Sequence, residues 1–316
     1  MAKLRKIKKF SIYGSCQAPA LAKILMTCES FANEWELIEI EPCFSIDESV
    51  LRSHLENNLP YLDMFIFQPV SETHRGELFS SKFLRDQLPD DTIKISFPYL
   101  HWEGYYPLSN APYGLNPHPD GYVDVLIGAA VSQNFELEAL LNKQKNIGAS
   151  LLLDINEIES WCASELRSRE DGNNDGGRPL DICIADFIVE NWRNKMLFYT
   201  MNHPTSELLK EVAACCLKLL DYKGIDISFS DILDPLSLTQ LSIYPEYSDG
   251  FAFSNPQLIS SVQINFNKIT TSEYVNYMYT WFQQYTDTEL AEFVGRFTNS
   301  RPWIKNAITS LSIKQL

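Results

Sequence analysis

Short uninterrupted apolar blocks alternate along this chain with stretches in which apolar residues recur at helical spacing. Phe10-Ser11-Ile12-Tyr13, Leu62-Asp63-Met64-Phe65-Ile66-Phe67 and the segments 35–40, 92–97 and 196–200 show the first pattern and predict strands. The second pattern predicts helices over 18–30, 77–87, 182–194 and 206–220. The first of these rests on Leu21, Ile24, Leu25 and Cys28, with Pro19 in the opening turn, where its missing N–H costs nothing. Ser45-Ile46-Asp47-Glu48 matches a capping box that opens a further helix to about Asn57. Residues 122–170 turn helical, with pieces at 136–142 and 154–170, until Asp171-Gly172-Asn173-Asn174-Asp175-Gly176-Gly177-Arg178-Pro179 breaks the pattern as a surface loop. Further on, 261–266 alternates like a strand, and 272–284 and 289–297 predict helices.

This alternation predicts an α/β fold with a mostly parallel, doubly wound sheet flanked by helices and a C-terminal, mainly helical subdomain. The expected organisation is an α/β catalytic domain over 1–225 with a helical insertion at about 122–180, and a subdomain over 226–316 packed on it. In such sheets ligands sit beyond the carboxyl ends of the strands. Cys16 of Tyr13-Gly14-Ser15-Cys16-Gln17, the terminus Gln68-Pro69 and the segment after Phe97 all leave strands at that edge and are expected to share one crevice. A helix start stabilises an anion through its N–H groups and dipole, so Cys16 is a candidate thiolate or oxyanion site. The alternative is that Cys16 is a small buried hydrophobe, as free cysteines usually are.

Composition narrows the possibilities. A chain of 316 residues with 45% apolar residues buries a large core. Its net charge of −15 speaks against general nucleic-acid binding. The one basic cluster, Lys3, Arg5, Lys6, Lys8 and Lys9, reads as a solvated lead-in to the first strand. Only residues 10–13 follow it as an apolar segment, short of the roughly 7–15 residues of a signal peptide. No run approaches the roughly 20 apolar residues of a membrane span, so a cytoplasmic protein is expected. Seven cysteines, odd in number and without a CxxC pair, fit reduced thiols. No metal is expected, since the five histidines and the cysteines lack ligand spacing and no HExxH occurs. GxGxxG and GxxxxGK[ST] are absent too.

The segment Tyr99-Leu100-His101-Trp102-Glu103-Gly104-Tyr105-Tyr106-Pro107 predicts a long aromatic loop suited to a sugar or an adenine ring, or else core packing. Met201-Asn202-His203-Pro204 ends a later strand and places a histidine where the first strand places a cysteine, a potential nucleophile and base pair.

The turn Tyr13-Gly14-Ser15-Cys16-Gln17-Ala18, the strand end Phe67-Gln68-Pro69-Val70-Ser71, the aromatic block and Phe198-Tyr199-Thr200-Met201-Asn202-His203-Pro204, in that order, resemble the WcbI family of polysaccharide-biosynthesis proteins over roughly residues 8–220. The resemblance implies an acetyltransferase that uses coenzyme A and a sugar or polysaccharide precursor. Cys16 and Gln17 match the family's glycine–asparagine–cysteine–glutamine turn, and His203 matches the histidine of its asparagine–histidine–proline turn. Ser15 departs from the family asparagine. On this reading Cys16 and His203 are catalytic, and Gly14, Ser15, Gln17, Gln68, His101 and Asn202 hold an oxyanion or substrate. Arg75, Trp102 and Tyr106 are the expected coenzyme A contacts, the first for phosphate and the rings for adenine, with Arg178 and Arg193 as further phosphate candidates. An esterase with an SGNH-like layout and a non-catalytic carbohydrate-binding protein are the alternatives.

Overall fold

The computed structural model describes residues 7–119, 121–144, 153–173, 177–223, 225, 227, 234–243, 251–252 and 261–313. Lys3, Arg5 and Lys6 of the basic cluster and 174–176 of the expected surface loop lie outside them. The fold is mixed α/β, with a parallel four-stranded sheet flanked by helices and a helical C-terminal region. It forms two compact units that interleave along the chain, in contrast to the single boundary expected near residue 225. The first holds Met1–Leu100, Ala163–Glu190 and His203–Leu236; the second holds His101–Cys162, Asn191–Asn202 and Ser237–Leu316.

The first unit contains the sheet. Strands β1 (Lys8–Tyr13), β2 (Trp35–Leu37), β3 (Met64–Phe67) and β4 (Ile93–Ser96) lie in the order β2-β1-β3-β4. All neighbours are parallel. Lys8 and Lys9 are exposed and the rest of β1 is buried, which accounts for its charged start and apolar end. The register pairs Tyr13 with Phe67 and Phe67 with Ser96, so β1, β3 and β4 end level with one another. Residues 14–17, 68 and 97–100 therefore leave the sheet at one edge, as the strand pattern predicts.

Helix α1 (Gln17–Leu25) follows β1 directly, with Cys16 as its N-cap. It is shorter than the expected 18–30 helix, and a single further turn, Glu29–Ala32, starts after Cys28. Leu21, Ile24 and Leu25 are fully buried, each contributing about 1.5–3 kcal/mol relative to exposure. Helix α1 packs against the long helix Ser206–Leu219, whose Leu208, Leu209, Val212 and Cys216 are buried. Helix α2 (Glu48–Asn57) forms where expected, but the capping box at Ser45 to Glu48 does not. Asp47 is its N-cap, and the Ser45 hydroxyl instead donates to the Pro42 carbonyl at 3.1 Å, closing a tight turn. Helix α3 (Ser81–Asp86) is capped by Ser80, whose hydroxyl accepts from the Phe83 N–H.

The second unit is built around the helix Val125–Ser132, which packs against Thr271–Phe282, Asp287–Thr298 and Pro302–Ile313. True capping boxes open two of these, Thr270 with Glu273 and Thr286 with Glu289. The helix Pro302–Ile313 escapes the sequence reading, although Trp303, Ile304, Ala307 and Leu311 give it a buried stripe. Strand Phe198–Thr200 belongs to this unit and is not a member of the four-stranded sheet.

Candidate functional site

At the carboxyl edge of the sheet, two buried glutamines hold the turn after β1. The Gln68 Nε2 group donates to Gln17 Oε1 at 2.7 Å and to the Pro98 carbonyl at 3.2 Å. Gln68 Oε1 accepts from the Ser15 N–H at 2.9 Å and from the Ser15 hydroxyl at 2.8 Å. Gln17 in turn donates to the Leu100 carbonyl at 2.7 Å and accepts from the Leu100 N–H at 3.0 Å. Three strand ends are thereby tied together by two side chains. The Gly14 carbonyl accepts from the Cys43 N–H at 2.8 Å, which fixes the turn from its other side.

Gly14 is required by proximity. A Cβ there would stand 2.5 Å from Gln68 Oε1, and Gln68 cannot retreat without breaking its bonds to Gln17 and Pro98. Both N–H groups of the Gln68 amide are occupied within the protein, so Gln68 is a clamp and not the oxyanion donor expected of it. Ser15 likewise serves the clamp through its hydroxyl.

Cys16 is half-buried at the start of α1. Burial pushes its thiol up to about 11, outweighing the backbone N–H groups of Cys16 and Gln17 and the Ser15 hydroxyl, which stabilise a thiolate. At neutral pH the group is therefore a thiol. His203 lies in the same unit, three residues before the helix that packs on α1. Burial lowers it to about 4, so its imidazole is neutral at pH 7.

Arg75 reaches this neighbourhood through the backbone. Its Nη1 donates to the carbonyls of Cys43 at 3.0 Å and Ile46 at 2.8 Å, with the guanidinium 4.1 Å over the Phe79 ring. Sequence reasoning passed over Cys43, which nothing in its local pattern marks; its place beside Gly14 follows from the fold.

The remaining expected residues fall in the second unit. Trp102 and Tyr106 are fully buried, which corrects the adenine-stacking expectation: Trp102 packs edge-on to Trp192 at 5.3 Å, and Tyr106 donates to the Phe198 carbonyl at 3.1 Å. Neither ring offers a face to a ligand. Arg193 pairs with Glu159 at 2.8 Å. Asn202 Oδ1 accepts from the Tyr122 hydroxyl at 2.6 Å. His101 Nε2 lies 3.1 Å from Glu103 Oε1. Glu103 is completely buried and also accepts from Arg301 at 2.6 and 2.5 Å. Burial alone would raise its pKa, but the hydrogen bonds from Arg301 and His101 hold the carboxyl below the usual range. Among the described residues no group of three or more His, Cys, Asp or Glu is placed to hold a metal. No described helix is long and apolar enough to cross a membrane.

A parallel α/β sheet with a cysteine at the helix start after its first strand, braced by glutamines from two strand ends, defines the class. The chain belongs to the WcbI family: the model of "Polysaccharide biosynthesis enzyme WcbI" matches residues 9–224. A solved structure is similar over 96% of this chain and 99% of its own, at 48% identity and a TM-score of 0.92. It is described as the native protein of WcbI, a novel polysaccharide biosynthesis enzyme, without a disulfide bond between CoA and one of its cysteines. Among curated proteins none matches this chain.

Proposed function

We propose that this protein transfers an acetyl group from acetyl-CoA to a sugar hydroxyl in polysaccharide biosynthesis. The observation that carries the reading is the placement of Cys16: a clamped thiol at a helix start, in a chain 48% identical to a protein whose description relates a cysteine to CoA. On this reading Cys16 stands beside the sulfur of the bound thioester.

A thiol pushed up to about 11 is a poor nucleophile at neutral pH, which favours direct transfer over an acetyl-cysteine intermediate. His203, neutral at pH 7, takes the proton of the acceptor hydroxyl as its oxygen bonds to the thioester carbon. The backbone N–H of Cys16, at the start of α1, stabilises the developing oxyanion, a contribution of roughly 3 kcal/mol per well-aimed donor. The C–S bond then breaks, and the departing sulfur takes the proton from His203. Cys16 shapes the thioester pocket.

Thermal unfolding with coenzyme A, acetyl-CoA or ATP at matched concentrations tests binding. A ligand at about 100 times its Kd adds roughly 2.7 kcal/mol and raises the midpoint visibly. A rise with the two coenzyme A species and none with ATP, followed by acetylated product only when a sugar acceptor is present, is the expected result. Acetate release without an acceptor would make the protein an esterase.

A further inference from the structure

The fold brings a second thiol to the turn after β1. Cys43 opens a tight turn in which the Pro42 carbonyl accepts from the Ser45 and Ile46 N–H groups at 2.9 and 3.0 Å. Its own N–H donates to the Gly14 carbonyl at 2.8 Å and its carbonyl accepts from Arg75 at 3.0 Å, so its backbone is fixed from both sides. Gly14 lies two residues before Cys16, a span of at most about 7 Å. The Cys43 side chain is buried in one cluster with Tyr13, Ile40 and Ile46, and a charge on it would push up both the Tyr13 hydroxyl and the Cys16 thiol. Neither the glutamine clamp nor the acetyl transfer proposed above uses this thiol. We propose that Cys43 is the resolving thiol of Cys16, exchanging a mixed disulfide on Cys16 for a disulfide between the two residues.

Burial sets the order of the reaction. Cys43 is 6% exposed, whereas Cys16 is half-buried and meets a small reactant first. With a low-molecular-weight disulfide RSSR, the Cys16 thiolate bonds to one sulfur, RS⁻ leaves and takes up the proton that Cys16 lost, and Cys16–S–SR remains. The Cys43 thiolate then bonds to the Cys16 sulfur, and the second RS⁻ departs and takes up the proton that Cys43 lost. In sum, RSSR and two protein thiols give two RSH and one protein disulfide. Thiolates of lower pKa leave faster. Cys16, pushed up to about 11, is a poorer leaving group than an ordinary thiol near 8.5, so attack by Cys43 expels the small thiol and keeps the bond on the protein. Arg75 assists the attacking group, because its guanidinium charge works against the burial that pushes Cys43 up to about 11. A disulfide sets its Cα atoms about 5.5–6 Å apart, a separation that the bond between the Cys43 N–H and the Gly14 carbonyl allows. The linked form withholds Cys16 from further reactants until a dithiol reductant releases it.

Glutathione disulfide in excess is the probe, and the product is read from non-reducing peptide maps of the full chain after the remaining thiols have been blocked. We expect the wild-type protein to pass through a glutathione adduct on Cys16 and to end with a peptide pair in which Cys16 and Cys43 are joined. Cys43→Ser and Cys43→Ala should stop at the adduct, with circular dichroism confirming their folds. The wild type decides the matter even if a variant misfolds: a lasting glutathione adduct on Cys16 beside an unmodified Cys43 would overturn the proposal. So would a Cys16 that stays free under both glutathione disulfide and the smaller cystamine, or a Cys43 joined to some other cysteine. Acetyl transfer is not the readout, so the outcome stands whether or not the protein is an acetyltransferase.

Discussion

Gln68 donates to Gln17 at 2.7 Å, and this one bond couples the end of β3 to the first residue of α1 across the site. Its neighbours on both amides are backbone groups of the β1 and β4 exits, so the pair sets the distance between three chain segments. Replacing Gln68 with Ala strands the Pro98 carbonyl and the Ser15 N–H, at about 1–3 kcal/mol for each group left unpaired, while Gln17 Oε1 keeps the Leu100 N–H. We expect a clear drop in Tm together with faster alkylation of Cys16. Gly14→Ala is expected to be as damaging because its Cβ collides with the Gln68 side-chain oxygen Oε1. In Gly14→Ala/Gln68→Ala the contact with Oε1 is gone and only the 3.0 Å approach of the two Cβ atoms remains, so the two penalties should fall short of adding, as a double-mutant cycle of urea melts would reveal.

Cys16 should behave as a suppressed thiol. Its rate of reaction with iodoacetamide is expected to be low at pH 7 and to climb with pH toward about 11, well past the value near 8.5 of a free cysteine. Mass spectrometry of the Cys16 peptide across a pH series gives the profile. A midpoint near 7 would identify an activated nucleophile and return the covalent route to acetyl transfer.

His203 makes stability depend on pH in a defined window. Its folded value, about 4, lies under the ordinary value of about 6.5, so between these limits the unfolded chain binds a proton that the folded chain refuses. The contribution is complete above about pH 6.5 and is lost as pH falls to about 4, amounting to roughly 3 kcal/mol in all. Urea melts should show that slope, and His203→Gln should flatten it. The same substitution is expected to lower acetyl transfer about 10²–10⁴-fold, and the acid limb of wild-type kcat/KM should fall near pH 4.

Glu103 is a charge that the fold has to neutralise. Arg301→Ala leaves its carboxylate buried without its main partner and should cost about 3–5 kcal/mol. Because the folded pKa is depressed, the stabilisation is present above the ordinary carboxylate value of about 4.3 and disappears as pH drops below it. Thermal melts of Arg301→Ala and Arg301→Ala/Glu103→Gln separate the two causes, since the second change removes the stranded charge and should recover most of the loss.

The strand ends and the turn were legible because they are local. Phe10 to Tyr13, Met64 to Phe67 and Ile93 to Ser96 are apolar runs that end in polar or proline residues, and those ends are where the site residues emerge. The aromatic block 99–107 was ambiguous for a physical reason: the same rings serve a ligand or a core, and only burial tells them apart. Trp102 at 0% and Tyr106 at 1% exposure are core. Ser45 to Glu48 met the spacing of a capping box, yet the turn made by Pro42 took the serine hydroxyl.

By itself, then, the sequence determined the alternation of strands and helices, the parallel sheet with its functional edge, and the residue types of the cysteine turn, because hydrophobic period and turn chemistry act over a few positions. Tertiary structure decided that Gln17 and Gln68 brace one another, that Cys16 stays protonated and His203 neutral, and that Glu103 needs Arg301. Those properties depend on strand register and on the removal of water, and neither is encoded in any single stretch of the chain.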